Sequence, residues 1–174
     1  AGSAPTILSR GAWRTPYGIV HADAEAADSL LVLSKTWEIR PSPLVIDEQP
    51  FVREHGIASL TPFIKRSFPN AKIIPIIFDE SGLSTVPFEE IMAHLTSIRP
   101  DAFLVASVDF SHYLPTAIQT FHDEESLWCL KTGTLCNLPG RTVDLEVDSE
   151  ATLSALAIWN RITDSEQFTE AFHT

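Results

Sequence analysis

The sequence predicts an α/β fold: a single domain with a central sheet and helices on both of its faces. Of its 174 residues, 44% are hydrophobic and 20% are charged, which is enough apolar material for one buried core but too short a chain for two ordinary domains. Short runs typical of β-strands alternate along the chain with apolar stripes at helical spacing, as in α/β proteins. Two of these runs, 71–78 and 102–108, are almost continuously apolar, which is typical of strands covered on both faces.

The N-terminal part predicts strands, one helix and a proline-rich loop. Residues 6–20 mix β-forming side chains with glycine and proline, which indicates two short strands around a turn at an irregular edge of the sheet. A helix follows to about Ser34, because Ala and Leu recur at helical spacing behind Asp23, a residue type that caps helices. The stretch 37–51 holds three prolines, so we expect a loop with one short strand at 44–46.

The remaining elements continue the alternation. A helical stripe over 57–67 ends before Pro69, since proline disfavours helix in the residue that precedes it. Pro75 places the strand at 71–78 at an edge of the sheet or at a bulge. The other elements follow from periodicity: helices at 87–97, 115–131 and 149–162, a buried strand at 102–108, and a last strand near 167–172.

Charge and cysteine content exclude several classes of protein. Twelve Lys and Arg against 23 Asp and Glu give a net charge of −11, which argues against nucleic acid and anionic membranes as partners. No run approaches the roughly 18 to 20 apolar residues that cross a bilayer. The two cysteines have neither a metal-finger spacing nor a disulfide framework, so a reducing, cytoplasmic setting is expected.

Asp109 directly follows the predicted strand at 102–108, and His112 comes three residues later. Asp109 and His112 would lie at the carboxyl end of the sheet, where functional atoms gather in open α/β folds. An imidazole beside a carboxylate serves as a general acid or base, or as a metal ligand oriented by its neighbour. The alternative is that Asp109 caps the next helix and His112 is an ordinary loop residue. His122, which precedes the acidic run at 123–125, is interpreted as an ordinary surface position.

Further candidate ligands stand at the starts of two predicted helices. His55, preceded by Glu54, could bind a divalent metal such as Fe, Cu or Zn. The alternative, which is the more usual for such a pair alone, is a surface Glu in the first helical turn beside a His of no special role. Asp148 belongs to an acidic cluster before the last helix and could supply a carboxylate ligand. A solvated run of charges explains such a cluster as well.

Four segments together, in order and spacing, resemble the Memo-like family, also called AmmeMemoRadiSam system protein B. They read Trp-Arg-Thr-Pro-Tyr-Gly at 13–18, Glu-His-Gly-Ile at 54–57, Ala-Lys-Ile-Ile-Pro-Ile at 71–76 and Ser-Val-Asp-Phe-Ser-His-Tyr at 107–113. The resemblance covers about residues 9 to 160, and its most specific piece is Asp-Phe-Ser-His-Tyr. It implies an α/β fold similar to class III extradiol dioxygenases, enzymes that use non-haem Fe(II) to open catechol rings.

The resemblance also implies roles for individual residues. His55 would correspond to a metal-ligand histidine and His112 to the acid or base, with Asp109 beside it. The family's ligand at the start of the late helix, a cysteine or in the dioxygenases a glutamate, is not retained here, and Asp148 is the substitute candidate. The family's N-terminal strand with a Gly-Pro-x-His element, which supplies the first ligand histidine, has no counterpart before Thr6.

These departures lead us to expect a metal affinity that is weaker than in complete relatives, or absent. Two functions remain open. One is a metal-dependent oxidoreductase acting on a small-molecule substrate, with metal-assisted hydrolysis as a variant at the same site. The other is a catalytically inactive scaffold that binds a protein partner. An exposed sheet edge, left by the absent first strand, would favour a homodimer.

Overall fold

The computed structural model describes residues 6–79, 86–132, 137–138, 141–142 and 147–164. The chain forms two compact units, Ala1–Pro87 and Phe88–Thr174. Strands and helices are mixed along the chain, which confirms the α/β class, while the prediction of one domain over 1–174 stays a prediction. The elements in chain order are β1 (Thr6–Leu8), β2 (Ala12–Thr15), β3 (Gly18–His21), α1 (Ala24–Ser34), β4 (Leu44–Ile46), α2 (Gly56–Ser67), β5 (Ile76–Phe78), α3 (Phe88–Ile98), α4 (Thr116–Thr132), β6 (Asn137–Leu138), β7 (Arg141–Thr142) and α5 (Glu150–Thr163).

The first unit is built on a three-stranded sheet in the order β4-β1-β5. Strand β1 pairs parallel with β4 and antiparallel with β5. Its three side chains are all buried, so the prediction that the first strand lies at an irregular edge is wrong. The edge position expected from Pro75 is confirmed for the strand that follows it, because β5 is the outermost strand of this sheet among the described residues. Only 76–78 of the run 71–78 form this strand, and they are half-buried rather than covered on both faces.

A hairpin and two helices complete the first unit. Strands β2 and β3 pair antiparallel around a turn in which the Thr15 hydroxyl donates to the Gly18 carbonyl at 2.7 Å. Gly18 has φ +119°, a conformation that L side chains rarely adopt. Helix α2 packs on this hairpin and α1 on β4. The predicted cap of α1 is confirmed, since the Asp23 carboxylate accepts from the Ala26 N–H at 3.2 Å.

The second unit contains three helices that the sequence predicts to within about one residue. Helices α3 and α5 pack against each other through apolar side chains. Ile91 and Met92 of α3 are fully buried, and Trp159 of α5 is 5% exposed. Ser149 caps α5 by accepting from the Thr152 N–H at 3.2 Å. In the described residues, no helix combines the length and apolar character needed to cross a membrane.

The prediction of a buried strand at 102–108 is wrong. Residues 102–110 form no strand, and Phe103 and Val105 are 64% and 54% exposed. Leu104, Ala106 and Val108 between and after them are half-buried, so only one side of this segment is covered. A strand also needs a neighbour for its backbone groups, and no described strand pairs with this segment. The last predicted strand, near 167–172, lies outside the described residues.

Candidate functional site

His112 is an exposed residue of the turn 109–113, which lies between residues 102–108 and α4. Its Nδ1 lies 3.0 Å from the Phe110 carbonyl oxygen. Because a carbonyl can only accept a hydrogen bond, Nδ1 carries the hydrogen, and in the neutral ring Nε2 holds the lone pair. Nε2 is therefore the ring nitrogen that remains available, either to accept a proton or to coordinate an electrophile.

Tyr113 gives the turn an unusual backbone conformation. Its φ is +62°, in the left-handed region that bulky residues rarely occupy, and its side chain is 97% exposed. Such a conformation costs on the order of 1–3 kcal/mol and persists where the surroundings enforce it, often at functional sites. The Tyr113 ring packs edge-on against the His112 ring, with centroids 4.6 Å apart. The turn thus presents an imidazole and a phenol side by side.

Asp109 and Asp148, predicted as separate contributors to one site, lie together. The Asp109 N–H donates to Asp148 Oδ1 at 3.0 Å, and the Asp148 N–H donates to the Asp109 carbonyl at 3.0 Å. Both residues are exposed. Asp148 immediately precedes the cap of α5, where the positive end of the helix dipole favours a carboxylate. Asp109 is not the cap of the next helix, since α4 begins only at Thr116.

A buried hydrogen-bonded pair anchors the turn to α4. The Ser111 hydroxyl donates to Asp123 Oδ1 at 2.6 Å, and the Ser111 N–H donates to the same oxygen at 3.1 Å. Ser111 and Asp123 are only 4% and 9% exposed. A carboxylate that accepts two bonds from one residue fixes that residue strongly. The residue directly before His112 is therefore held in place by the helix that follows it.

The sequence interpretation missed this anchor. It named Asp123 only as part of an acidic run and assigned it no role, whereas the structure buries its side chain. One signal could have identified it: Gln119, Asp123 and Ser126 recur at helical spacing, while the aromatic residues of α4 fall on the opposite side. A helix face made of polar residues can face the solvent, but it can also pack against a polar group of the protein.

A second polar cluster that the sequence interpretation missed joins the carboxyl ends of β1 and β4. The Ser9 hydroxyl donates to Glu48 Oε2 at 2.5 Å, and the Arg10 N–H donates to Glu48 Oε1 at 2.7 Å. Ser9 also accepts from the Gly11 N–H at 2.9 Å. Because Ser9 is fully buried, its hydroxyl holds the two parallel strands together and is not accessible to a ligand.

His55 lies in the first unit, apart in the chain from the other three candidates. It is the exposed residue before α2 and makes no capping hydrogen bond with its side chain. Glu54 caps this helix instead, since its carboxylate accepts from the Gly56 and Ile57 N–H groups at 2.5 and 2.8 Å. Among the residues that the structure describes, no group of three or more His, Cys, Asp or Glu side chains could hold a metal ion. A metal held by His55 and Asp148 stays a prediction.

Comparison with known proteins gives the family. The Memo-like protein family matches residues 1–155. The chain is 34% identical over 128 residues to a MEMO1 family protein of Pyrobaculum aerophilum, covering 72% of this chain and 43% of that protein. It is 30% identical over 120 residues to a MEMO1 family protein of Methanothermobacter thermautotrophicus, covering 67% of this chain and 40% of that one.

The chain thus spans about two fifths of the length of the curated relatives it matches. No solved structure matches it, and the expected likeness to class III extradiol dioxygenases stays a prediction. The family match covers most of the chain, including the turn that carries His112. On this evidence the chain belongs to the Memo-like protein family.

Proposed function

We propose that the turn 109–113 is an acid–base site for a small-molecule substrate, in an oxidoreductase reaction of the dioxygenase type. The observation that carries the proposal is the hydrogen bond from His112 Nδ1 to the Phe110 carbonyl, which leaves Nε2 as the proton acceptor. A positioned imidazole of this kind takes a proton from a hydroxyl group such as that of a catechol and returns it later in the reaction.

The surroundings of His112 support this role. The Ser111–Asp123 pair and the Asp109–Asp148 pair hold the turn on both sides of the imidazole. A site whose backbone is fixed before the substrate binds loses less entropy when the reaction begins. Asp109 adds an exposed carboxylate to the same turn, and a negative charge there would stabilise the imidazolium that forms after proton transfer.

The tautomer of His112 gives a direct test that needs no substrate. In long-range proton–nitrogen correlation spectra, we expect neutral His112 to carry its hydrogen on Nδ1, and added catechol to shift the Nε2 resonance. His112→Asn should lower the turnover of any catechol by about 10²- to 10⁴-fold, the usual contribution of a general base. His21→Asn, at an exposed position of β3, is the matched control. A hydrogen on Nε2, or full turnover by His112→Asn, would contradict the proposal.

The metal needs a separate test, because the donors that the structure describes do not make up a three-ligand set. We expect elemental analysis of untagged protein, incubated with Fe, Cu or Zn and then dialysed, to find less than one ion per chain. His55→Ala and Asp148→Ala should each lower that amount, whereas His21→Ala, at an exposed position of β3, should not. Uptake that both site variants retain would remove the two residues as ligands.

A catalytically inactive scaffold that binds protein is the second candidate. It is favoured by the aromatic side chains that α4 exposes, since Phe121 and Trp128 are 63% and 56% exposed. Absence of any catechol-induced shift at His112, together with absence of turnover, would favour this second function.

A further inference from the structure

Over residues 116–128, whose side chains the structure describes, helix α4 has the reverse of the usual amphipathic arrangement. The two buried side chains in this range are polar, with Asp123 9% and Ser126 1% exposed. Its large apolar side chains face outward, with Ile118 47%, Phe121 63% and Trp128 56% exposed. Surface helices ordinarily bury their apolar stripe against the core. Here the bonds between Asp123 and Ser111 turn the polar side inward, and the apolar side is left at the surface.

The outward residues form one surface. Phe121, Glu124 and Trp128 are separated by three and four positions, so they are neighbours along one side of the helix, and Glu124 is exposed between the two aromatic rings. We name Ile118, Phe121, Glu124 and Trp128 the α4 face. Large aromatic side chains grouped at a surface are characteristic of protein–protein interfaces. A partner for this face needs apolar side chains and a cation opposite Glu124.

The first unit exposes a surface of that kind. Tyr17 is 55% exposed and Phe63 68% exposed, and the Arg66 guanidinium lies over the Tyr17 ring at 5.9 Å from its centroid. Phe63 and Arg66 are three residues apart on α2 and so lie on the same side of that helix. We name Tyr17, Phe63 and Arg66 the α2 face. Residues 55–78 around it contain three Lys or Arg and no Asp or Glu.

The net charges of the two units have the same relation as the charges of the two faces: the second unit is the more acidic. The first unit contains eight Lys and Arg against nine Asp and Glu, whereas the second contains four against fourteen. The α4 face therefore belongs to a strongly acidic unit, and the α2 face to a nearly neutral one with a locally cationic surface. Opposite charges on matched apolar surfaces guide association and fix which surfaces meet.

We propose that the α4 face of one copy of this chain docks on the α2 face of a second copy. Phe121 and Trp128 would pack against Tyr17 and Phe63, and Glu124 would pair with Arg66. A second copy is favoured as the occupant because this chain exposes both surfaces with complementary charge. A nucleic acid would be repelled by Glu124 and by the acidic unit around it.

Sedimentation analysis of the whole chain over a wide concentration range tests the proposal. The weight-average mass should rise above the 19.2 kDa of one chain as the concentration increases. Phe121→Ala should weaken association by about tenfold or more, as truncation of an aromatic anchor does. Glu124→Arg and Arg66→Glu should each weaken association, and the double variant Arg66→Glu with Glu124→Arg should restore it. Val32→Ala, at a 63% exposed position of α1 outside both faces, is the control.

The possible outcomes show whether a second copy of this chain or a different partner binds the α4 face. All four positions are exposed, so the variants are expected to fold, and circular dichroism checks this. A mass of one chain at every concentration would overturn the proposal and leave the α4 face to a different protein. Association that is unchanged in Phe121→Ala would also overturn it, and would place the contact elsewhere, such as at a sheet edge. Failure of the charge swap to restore association would rule out the pairing of Glu124 with Arg66.

Discussion

Asp123→Ala is expected to lower the free energy of unfolding by about 2–4 kcal/mol. The variant removes the carboxylate that accepts two hydrogen bonds from Ser111, at 2.6 and 3.1 Å. Ser111 is 4% exposed, so water does not readily replace the lost acceptor, and an unpaired buried group is costly. Urea unfolding followed by circular dichroism measures the loss. Hydrogen exchange should show weaker protection of the backbone amide of Ser111 and around the neighbouring His112.

Two controls separate the anchor from a general effect of charge. Glu124→Ala removes a carboxylate from the exposed side of the same helix and, at a protein concentration where the chain is monomeric, should change stability by less than about 0.5 kcal/mol. Asp123→Asn keeps one oxygen acceptor and should fall between the wild type and the alanine variant. If Asp123→Ala costs no more than Glu124→Ala, the pair with Ser111 does not hold the turn to α4.

Leu8→Ala is expected to cost about 3 kcal/mol, within the usual range of 2–5 for truncating a buried leucine. Leu8 is fully buried in β1, where it stands opposite Ile46 of β4 and Ile76 of β5. Its removal leaves a cavity at the centre of the three-stranded sheet, which the neighbouring strands fill only in part. Denaturant unfolding gives the cost, and hydrogen exchange should place the loss of protection in these three strands.

The control for this variant is Val52→Ala, because Val52 is 76% exposed and its truncation should change stability by less than about 0.5 kcal/mol. Equal costs for the two variants would mean that β1 is not at the centre of the sheet. The result would then favour the edge position that the sequence pattern alone indicates.

Local signals determine the helices of this protein and some of its strands. Asp23 and Ser149 cap their helices through bonds to residues three positions ahead, so a short stretch of sequence contains both partners. The strand at 44–46 is likewise bounded by prolines close to it. The family, too, can be identified from short segments such as Asp-Phe-Ser-His-Tyr, which keep their order whatever the tertiary contacts are.

The tertiary structure alone decided which segments pair and which side of a helix is buried. An apolar run indicates a strand, but only the pairing with β4 and β5 puts β1 at the centre. Residues 102–110 pair with none of the described strands, although their composition also indicates a strand. Asp109 and Asp148 meet although 39 positions separate them. Asp123 belongs to an acidic run, yet it is buried where it accepts a hydrogen bond from Ser111, and the aromatic side of α4 is exposed. In each case the contact that decides the outcome joins residues that are far apart in the sequence. Whether such residues meet depends on the path of the backbone, and the periodicity of a short stretch of sequence gives no information on that path.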